Sequence, residues 1–150
     1  MVASLDRVRD LAARDHGLAV VATSRADGSV QASVVNAGVL DHPLGGDPVV
    51  AFVARGATAK LANLRLRSSA TVVFRAGWEW AAVEGAAEIA GPDDPLPGLD
   101  PAVLPQLLRD VFSAAGGTHD DWDEYDRVMA AERRAAVLVH PGRVYSNPGT

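Results

Sequence analysis

The sequence predicts a small antiparallel β-barrel with helices around it. Two strand-like runs, 18–24 and 30–40, flank the tight turn Ala26-Asp27-Gly28-Ser29, an arrangement typical of a β-hairpin. Further strands are predicted at 49–54, 70–75, 78–90, 135–140 and 143–145, which gives six or seven in all. Strands do not alternate regularly with long helices and there is no G-x-G-x-x-G motif, so a Rossmann domain is not expected.

Helical spacing of apolar residues predicts four helices around this barrel. They are expected at 5–15, 58–66, 102–115 and 120–134. Segment 92–101 is rich in Pro and Asp and is predicted to be a loop, the best candidate for a mobile or variable insertion. Trp122, Tyr125 and Met129 fall at helical spacing and are interpreted as a packing stripe in an otherwise acidic segment.

Composition restricts the class of protein. With 150 residues, of which 48% are hydrophobic, the chain is expected to form one domain, residues 1–150. The net charge of -5 argues against general binding to nucleic acid or to a membrane surface. Absence of cysteine excludes disulfides and thiol catalysis. Without a signal-like N-terminus or a spanning apolar run, a cytoplasmic protein is expected.

The clearest candidate site follows the predicted strand that contains Val53. Gly56 permits a sharp bend, Thr58 is a good helix N-cap, and Lys60 falls in the first helical turn. A helix N-terminus beside a lysine favours an anion, most simply a phosphate. The alternative is an ordinary capped surface helix with a solvated Lys60.

Other side chains are candidates for contacts with a planar ligand. Trp78 and Trp80 are predicted to share one face of a strand, where they either pack in the core or form an aromatic wall. Gln31 and Ser33 also share a face, and with Asn36 they either lie on an exposed strand or bind the edge of a heterocycle.

The sequence offers no obvious catalytic machinery. Its four histidines (His16, His42, His119 and His140) have no metal-ligand spacing, so no metal site is expected. Neither a nucleophile elbow nor a Ser-His-Asp order is present, and no catalytic residue is assigned. If the protein is an enzyme, the reactivity is expected to belong to a bound phosphorylated cofactor.

Several short motifs together have a family likeness. They are Asp27-Gly28-x-x-Gln31, Ala59-Lys60-x-x-Asn63-Leu64, Gly77-Trp78-x-Trp80-Ala81-x-x-Glu84-Gly85, Asp121-Trp122-Asp123-x-Tyr125 and Val144-Tyr145. Over roughly residues 17 to 145, their order and spacing resemble the actinobacterial deazaflavin-dependent reductases of the pyridoxamine-phosphate-oxidase-like split-barrel superfamily.

The resemblance implies a homodimer of split β-barrels with coenzyme F420 bound at the dimer interface. It implies a phosphate contact from Lys60, with Thr58, Ala59 and Asn63 beside it and Val53 on the preceding strand. It places Gln31 and Ser33 under the deazaflavin ring. It also implies a segment of the partner subunit that closes over the cofactor, formed by Trp78, Glu79, Trp80 and Ala81. Arg143 is implied to make a further polar contact with the cofactor.

The implied reaction is hydride transfer from the reduced deazaflavin to a small unsaturated organic acceptor. Close relatives often have Arg where this chain has Thr58, and Arg55, Arg65 or Arg67 are the candidates to replace that charge. Two alternatives remain at this stage. One is an FMN-dependent oxidoreductase of the same fold, disfavoured because Lys60 stands nearly alone. The other is a non-catalytic protein that carries the cofactor or a tetrapyrrole.

Overall fold

A closed six-stranded antiparallel barrel forms the centre of the molecule. We describe a computed structural model, which covers residues 4–148; Met1–Ala3, part of the stretch predicted to lack a signal sequence, lie outside the described residues. The strands are β1 (Leu18–Ser24), β2 (Val30–Asp41), β3 (Pro48–Ala54), β4 (Ser69–Ala76), β5 (Glu79–Ala90), β6 (Ala135–Val139) and β7 (Arg143–Ser146). They pair in the order β4-β1-β2-β3-β6-β5, the β4–β5 pairing closes the ring, and β7 is added outside β5.

The two long strands allow the barrel to split into two sheets. Residues 30–36 of β2 pair with β1, whereas residues 37–41 pair with β3. Likewise, residues 79–86 of β5 pair with β4, and residues 87–90 pair with β6. Each twelve-residue strand therefore belongs to both sheets, and the predicted barrel architecture is confirmed.

The helices agree with the predicted positions to within a few residues. They are α1 (Leu5–Arg14), α2 (Ala59–Leu66), α3 (Leu104–Ala114), which follows a short 3₁₀ turn (Pro101–Val103), and α4 (Trp122–Ala131). The strand expected from residue 78 begins at Glu79 instead, because Gly77 has a φ of 63° and Trp78 belongs to the β4–β5 turn.

Two hydrophobic clusters hold these elements together. The first fills the barrel, with Phe52 and Phe74 fully buried, and receives apolar side chains from α1 and α2. The second lies between the β3–β6 sheet and the pair α3 and α4. Tyr125 is buried there and donates a hydrogen bond to the Leu108 carbonyl (3.0 Å), which confirms the packing role predicted for α4.

Segment 92–101 is fastened to this second cluster. Leu96 is buried among the cluster's side chains. Asp93 pairs with Arg133, and Asp94 accepts two hydrogen bonds from Arg65 (2.9 and 2.7 Å). The segment is thus a loop, as predicted, with contacts at several points along its length. One of the three arginines considered as a replacement for the missing charge, Arg65, is therefore engaged with this loop.

Candidate functional site

The N-terminus of α2 has the position that the sequence predicts, but it is capped differently. Thr58 is the N-cap residue with extended backbone (φ -83°, ψ 152°), yet its hydroxyl makes no capping hydrogen bond. That hydroxyl donates instead to the Arg55 carbonyl (3.0 Å). Among residues 4–148, the amides of the first turn, including those of Ala59 and Lys60, are therefore left without a side-chain acceptor, which suits an external anion.

Lys60 lines a cavity of about 300 Å³ beside this helix end. Val53 and Thr58, two other predicted site residues, line the same cavity. Burial, followed by the nearby charge of Arg134, lowers the pKa of Lys60 below its ordinary value. Within residues 4–148, Lys60 forms no ion pair with a carboxylate. The ammonium group therefore carries a charge that an anionic ligand would stabilise.

Arg134 is a cationic residue of this cavity that the sequence analysis missed. It lies just before β6 and lines the cavity together with Arg55. Glu132 pairs with both arginines, at 3.0 Å from Arg55 and 2.8 Å from Arg134. Three cations thus surround the cavity against one carboxylate. The pairing of β3 with β6 brings Arg134 here, so no local sequence pattern reveals it.

Hydrogen-bonded polar side chains connect α2 through β1 to β2. The resemblance places Gln31 and Ser33 of β2 under the deazaflavin ring. Asn63 donates to the Thr23 hydroxyl (3.1 Å), which lies 3.4 Å from the Gln31 side-chain oxygen. Asn63 and Gln31 are therefore partly committed to contacts within the protein. Gln31 and Ser33 do share a face of β2, as predicted, because they are two residues apart.

The hydroxyl of Ser33 is buried and has no hydrogen-bond partner in the part of the chain that the structure describes. Ser33 is on the same face of β2 as Val35, which is two residues later and lines the cavity. A buried polar group without a partner costs free energy, so its presence fits a position that is completed by a ligand. Asn36, on the other face, lines the cavity and donates to the His16 carbonyl (2.9 Å).

The remaining predicted site residues lie away from this cavity in the same chain. Trp78 is 93% exposed, so the core alternative is wrong for this residue, and it does not share a strand with Trp80. Trp80 is half-buried and packs edge-on against Tyr145. Asn147 fixes the backbone of the turn by donating to the Trp78 carbonyl (3.0 Å) and accepting from the Trp80 amide (3.1 Å).

The neighbours of these tryptophans have structural contacts. Glu79 pairs with Arg14 (2.6 Å), whose hydrogen bond holds the pKa of the Glu79 carboxyl below its ordinary value. The Ala81 side chain is fully buried in the barrel. Arg143 is largely exposed and lies 3.8 Å from Glu84. None of the three lines the Lys60 cavity.

Comparison with known proteins supports the architecture. No family model matches the chain. A conserved hypothetical protein of Mycobacterium tuberculosis superposes with a TM-score of 0.66 at 17% identity, over 97% of this chain and 85% of the other. A pyridoxamine 5'-phosphate oxidase-related, FMN-binding protein of Nostoc punctiforme gives 0.63 at 14% identity, over 94% and 81%. A protein described as an F420 reductase gives 0.58 at 15% identity, over 88% and 91%.

The chain has the split β-barrel fold of these proteins. At such low identities the likeness extends to the fold alone. The structure adds one finding about membranes: within residues 4–148, no helix is both long enough and apolar enough to cross one.

Proposed function

We propose that this protein is an oxidoreductase that binds coenzyme F420 and transfers a hydride from the reduced deazaflavin to a small unsaturated organic acceptor. The observation that carries the proposal is the cationic cavity at the start of α2, where Lys60 pairs with no carboxylate of the described residues and Arg134 lies beside it. The motif resemblance and the split-barrel relatives, which include an F420 reductase and FMN-binding proteins, give this cavity its interpretation.

The residues present fit a phosphorylated cofactor. Lys60, Arg134 and the free amides of α2 would hold the phosphate, and the unpartnered Ser33 hydroxyl would contact the part that extends along β2. When bound, the deazaflavin supplies the hydride, so the protein needs to orient it, to exclude water and to position the acceptor. This division of work agrees with a site that has cations and amides but no assigned catalytic acid or base.

We propose further that two copies of the chain complete the site. One face of β1 and β2 exposes four apolar side chains: Leu18, Val20, Val30 and Val34, at 41–66% of their surface. Such a patch on a soluble domain favours association, and an identical patch on a second copy would cover it. The fixed turn that presents the exposed ring of Trp78 would then contact the cofactor of the partner subunit.

FMN is the second candidate cofactor, and one structural observation favours it. In the sequence, Lys60 stands nearly alone, which favours the deazaflavin over a phosphate surrounded by several basic groups. The structure places Arg55 and Arg134 around the same cavity, so that argument against FMN no longer holds. Our preference for F420 therefore rests on the motifs rather than on the number of cations.

Titration of the purified chain with F420 and, separately, with FMN tests the proposal through cofactor fluorescence. Tighter binding of F420 is expected, followed by oxidation of reduced F420 when an unsaturated acceptor is added. Tighter binding of FMN would move the protein to the flavin-dependent alternative. Tight binding without turnover of any acceptor would support the carrier function, and failure to bind either cofactor would refute the cofactor assignment.

A further inference from the structure

Two of the four histidines meet at one carboxylate, far from the Lys60 cavity. Nε2 of His42 lies 2.8 Å from Oε1 of Glu88, and Nε2 of His140 lies 2.5 Å from the same oxygen. All three potential ligand atoms are within 4.8 Å of one another. These residues are distant in the sequence, which is why spacing alone predicted no metal site.

The strands of the barrel and their backbone hydrogen bonds position all three residues of this cluster. Glu88 lies on β5, and His140 directly follows β6, where its amide donates to the Ala86 carbonyl (2.8 Å). Gly85 permits this close approach, since a Cβ there would lie 1.7 Å from the His140 carbonyl oxygen. His42 follows β2 and is buried, and its amide donates to the Asp47 carbonyl (2.8 Å).

The cluster is open to solvent on one side. The side chains of Glu88 and His140 are about two-fifths exposed, whereas that of His42 is buried. A cation can therefore approach from solvent, and a water molecule can complete its coordination.

We propose that His42, Glu88 and His140 bind a divalent transition-metal ion of the zinc type. Two imidazoles and one carboxylate form a ligand set that zinc accepts, with a fourth position left for water. Bonds of about 2.0–2.1 Å would require the three ligand atoms to stand roughly 3.3 Å apart, so the histidines need only a small shift away from the carboxylate. This proposal replaces the expectation that the chain has no metal site.

Binding at His42 carries a specific structural consequence. In the metal-free protein, the amides of Leu44 and Gly45 donate to Nδ1 of His42 (3.1 and 3.3 Å), so the ring proton is on Nε2. A metal ion at Nε2 requires that proton to move to Nδ1, which releases both amides. Both hydrogen bonds are long, so their loss is small beside the metal–ligand bonds gained.

The proposed metal site is separate from the cofactor cavity. His42 and His140 adjoin the ends of β3 and β6 that are opposite to Arg55 and Arg134. Seven residues of β3 span roughly 20 Å between these ends. Metal binding can therefore be measured whether or not the protein binds F420 or FMN.

Calorimetric titration of the tag-free, chelator-treated chain with Zn²⁺ tests the proposal, with Co²⁺ absorption as a second measurement. We expect one ion per chain, a tetrahedral Co²⁺ spectrum, and at least a tenfold weaker affinity in Glu88→Gln and in His140→Ala. The matched controls His16→Ala and His119→Ala should bind like the unmodified chain. Amide resonances of Leu44 and Gly45 should shift when Zn²⁺ is added.

Two results would overturn the proposal. One is the absence of Zn²⁺ binding up to millimolar concentration in a folded chain. The other is binding that survives in both Glu88→Gln and His140→Ala, which would place the ion elsewhere. Glu88→Gln preserves the size of the side chain and His140 is partly exposed, so both variants are expected to fold, and circular dichroism checks this directly.

Discussion

Replacement of Lys60 by alanine tests the cofactor site most directly. Lys60 is the only lysine in the chain. It lines the cavity, and among residues 4–148 it forms no ion pair with a carboxylate. A charge-assisted hydrogen bond to phosphate contributes about 1.5–3 kcal/mol, which corresponds to a roughly 10- to 150-fold loss of affinity. Arg134 and the α2 amides remain, so binding should weaken rather than disappear.

The assay is calorimetric titration of F420 into Lys60→Ala, Lys60→Arg and the unmodified chain. Lys60→Arg should retain most of the affinity, because it keeps the charge. Arg127→Ala is the matched control, since that arginine is largely exposed on α4 and removes one positive charge from a different surface. If Lys60→Ala bound F420 as tightly as Arg127→Ala, with its fold intact, Lys60 would have no part in the site.

The uniqueness of Lys60 permits a second measurement on the same prediction. Reductive methylation with ¹³C-formaldehyde labels this side chain and the terminal amine, which gives a simple NMR spectrum. Burial and Arg134 lower the pKa of Lys60, and a bound anion should raise it by stabilising the charged form. The pH titration of the Lys60 signal should therefore move to higher pH with cofactor, and an unchanged midpoint would contradict the phosphate contact.

Four further variants follow from the structure. Ser33→Ala should leave the urea midpoint unchanged or higher, because the lost hydroxyl has no partner, yet weaken F420 binding by about 2- to 10-fold. Gly85→Ala should lower the free energy of unfolding by about 1–3 kcal/mol or more in urea titrations, since its Cβ would collide with a turn carbonyl oxygen. Val34→Glu should shift the mass measured by light scattering from two chains to one, and a persistent dimer would exclude this face. Arg14 lowers the pKa of Glu79, so Glu79→Gln should destabilise the protein at neutral pH, and the difference should shrink in acid as the carboxyl of the unmodified chain protonates.

The elements of the fold were largely predictable because their signals are local. The turn at Asp27 and Gly28 is an example: Asp27 accepts hydrogen bonds from the Ser29 amide (2.9 Å) and hydroxyl (2.6 Å), which is chemistry readable from three residues. The register of strands distant in sequence has no such signal. Closure of the barrel depends on β4 pairing with β5 and on glycines such as Gly85, whose role becomes visible only when the opposing backbone is known.

In the candidate site, too, the sequence predicted what depends on local structure and missed what depends on the pairing of distant strands. Thr58 and Lys60 belong to one helix start, so their proximity follows from local structure. Arg134 reaches the same cavity only because β6 pairs with β3, and no periodicity encodes that pairing. For Trp78, only the core alternative is wrong: large aromatic residues are usually buried, but Gly77 turns the chain and leaves this ring in solvent. The proposed dimer would give this exposed ring a contact that the single chain does not provide.

The two proposed sites share a structural cause. Strands β3 and β6 form the part of the barrel that lies against α3 and α4, and both of their faces are buried. Polar side chains are excluded from the middle of these strands and lie beside their ends. Arg55 follows β3 and Arg134 precedes β6 at one end, whereas at the other end His140 follows β6 and His42 follows the neighbouring strand β2. The two proposed sites would thus lie at opposite ends of one apolar strand pair, beside the core that this sequence forms.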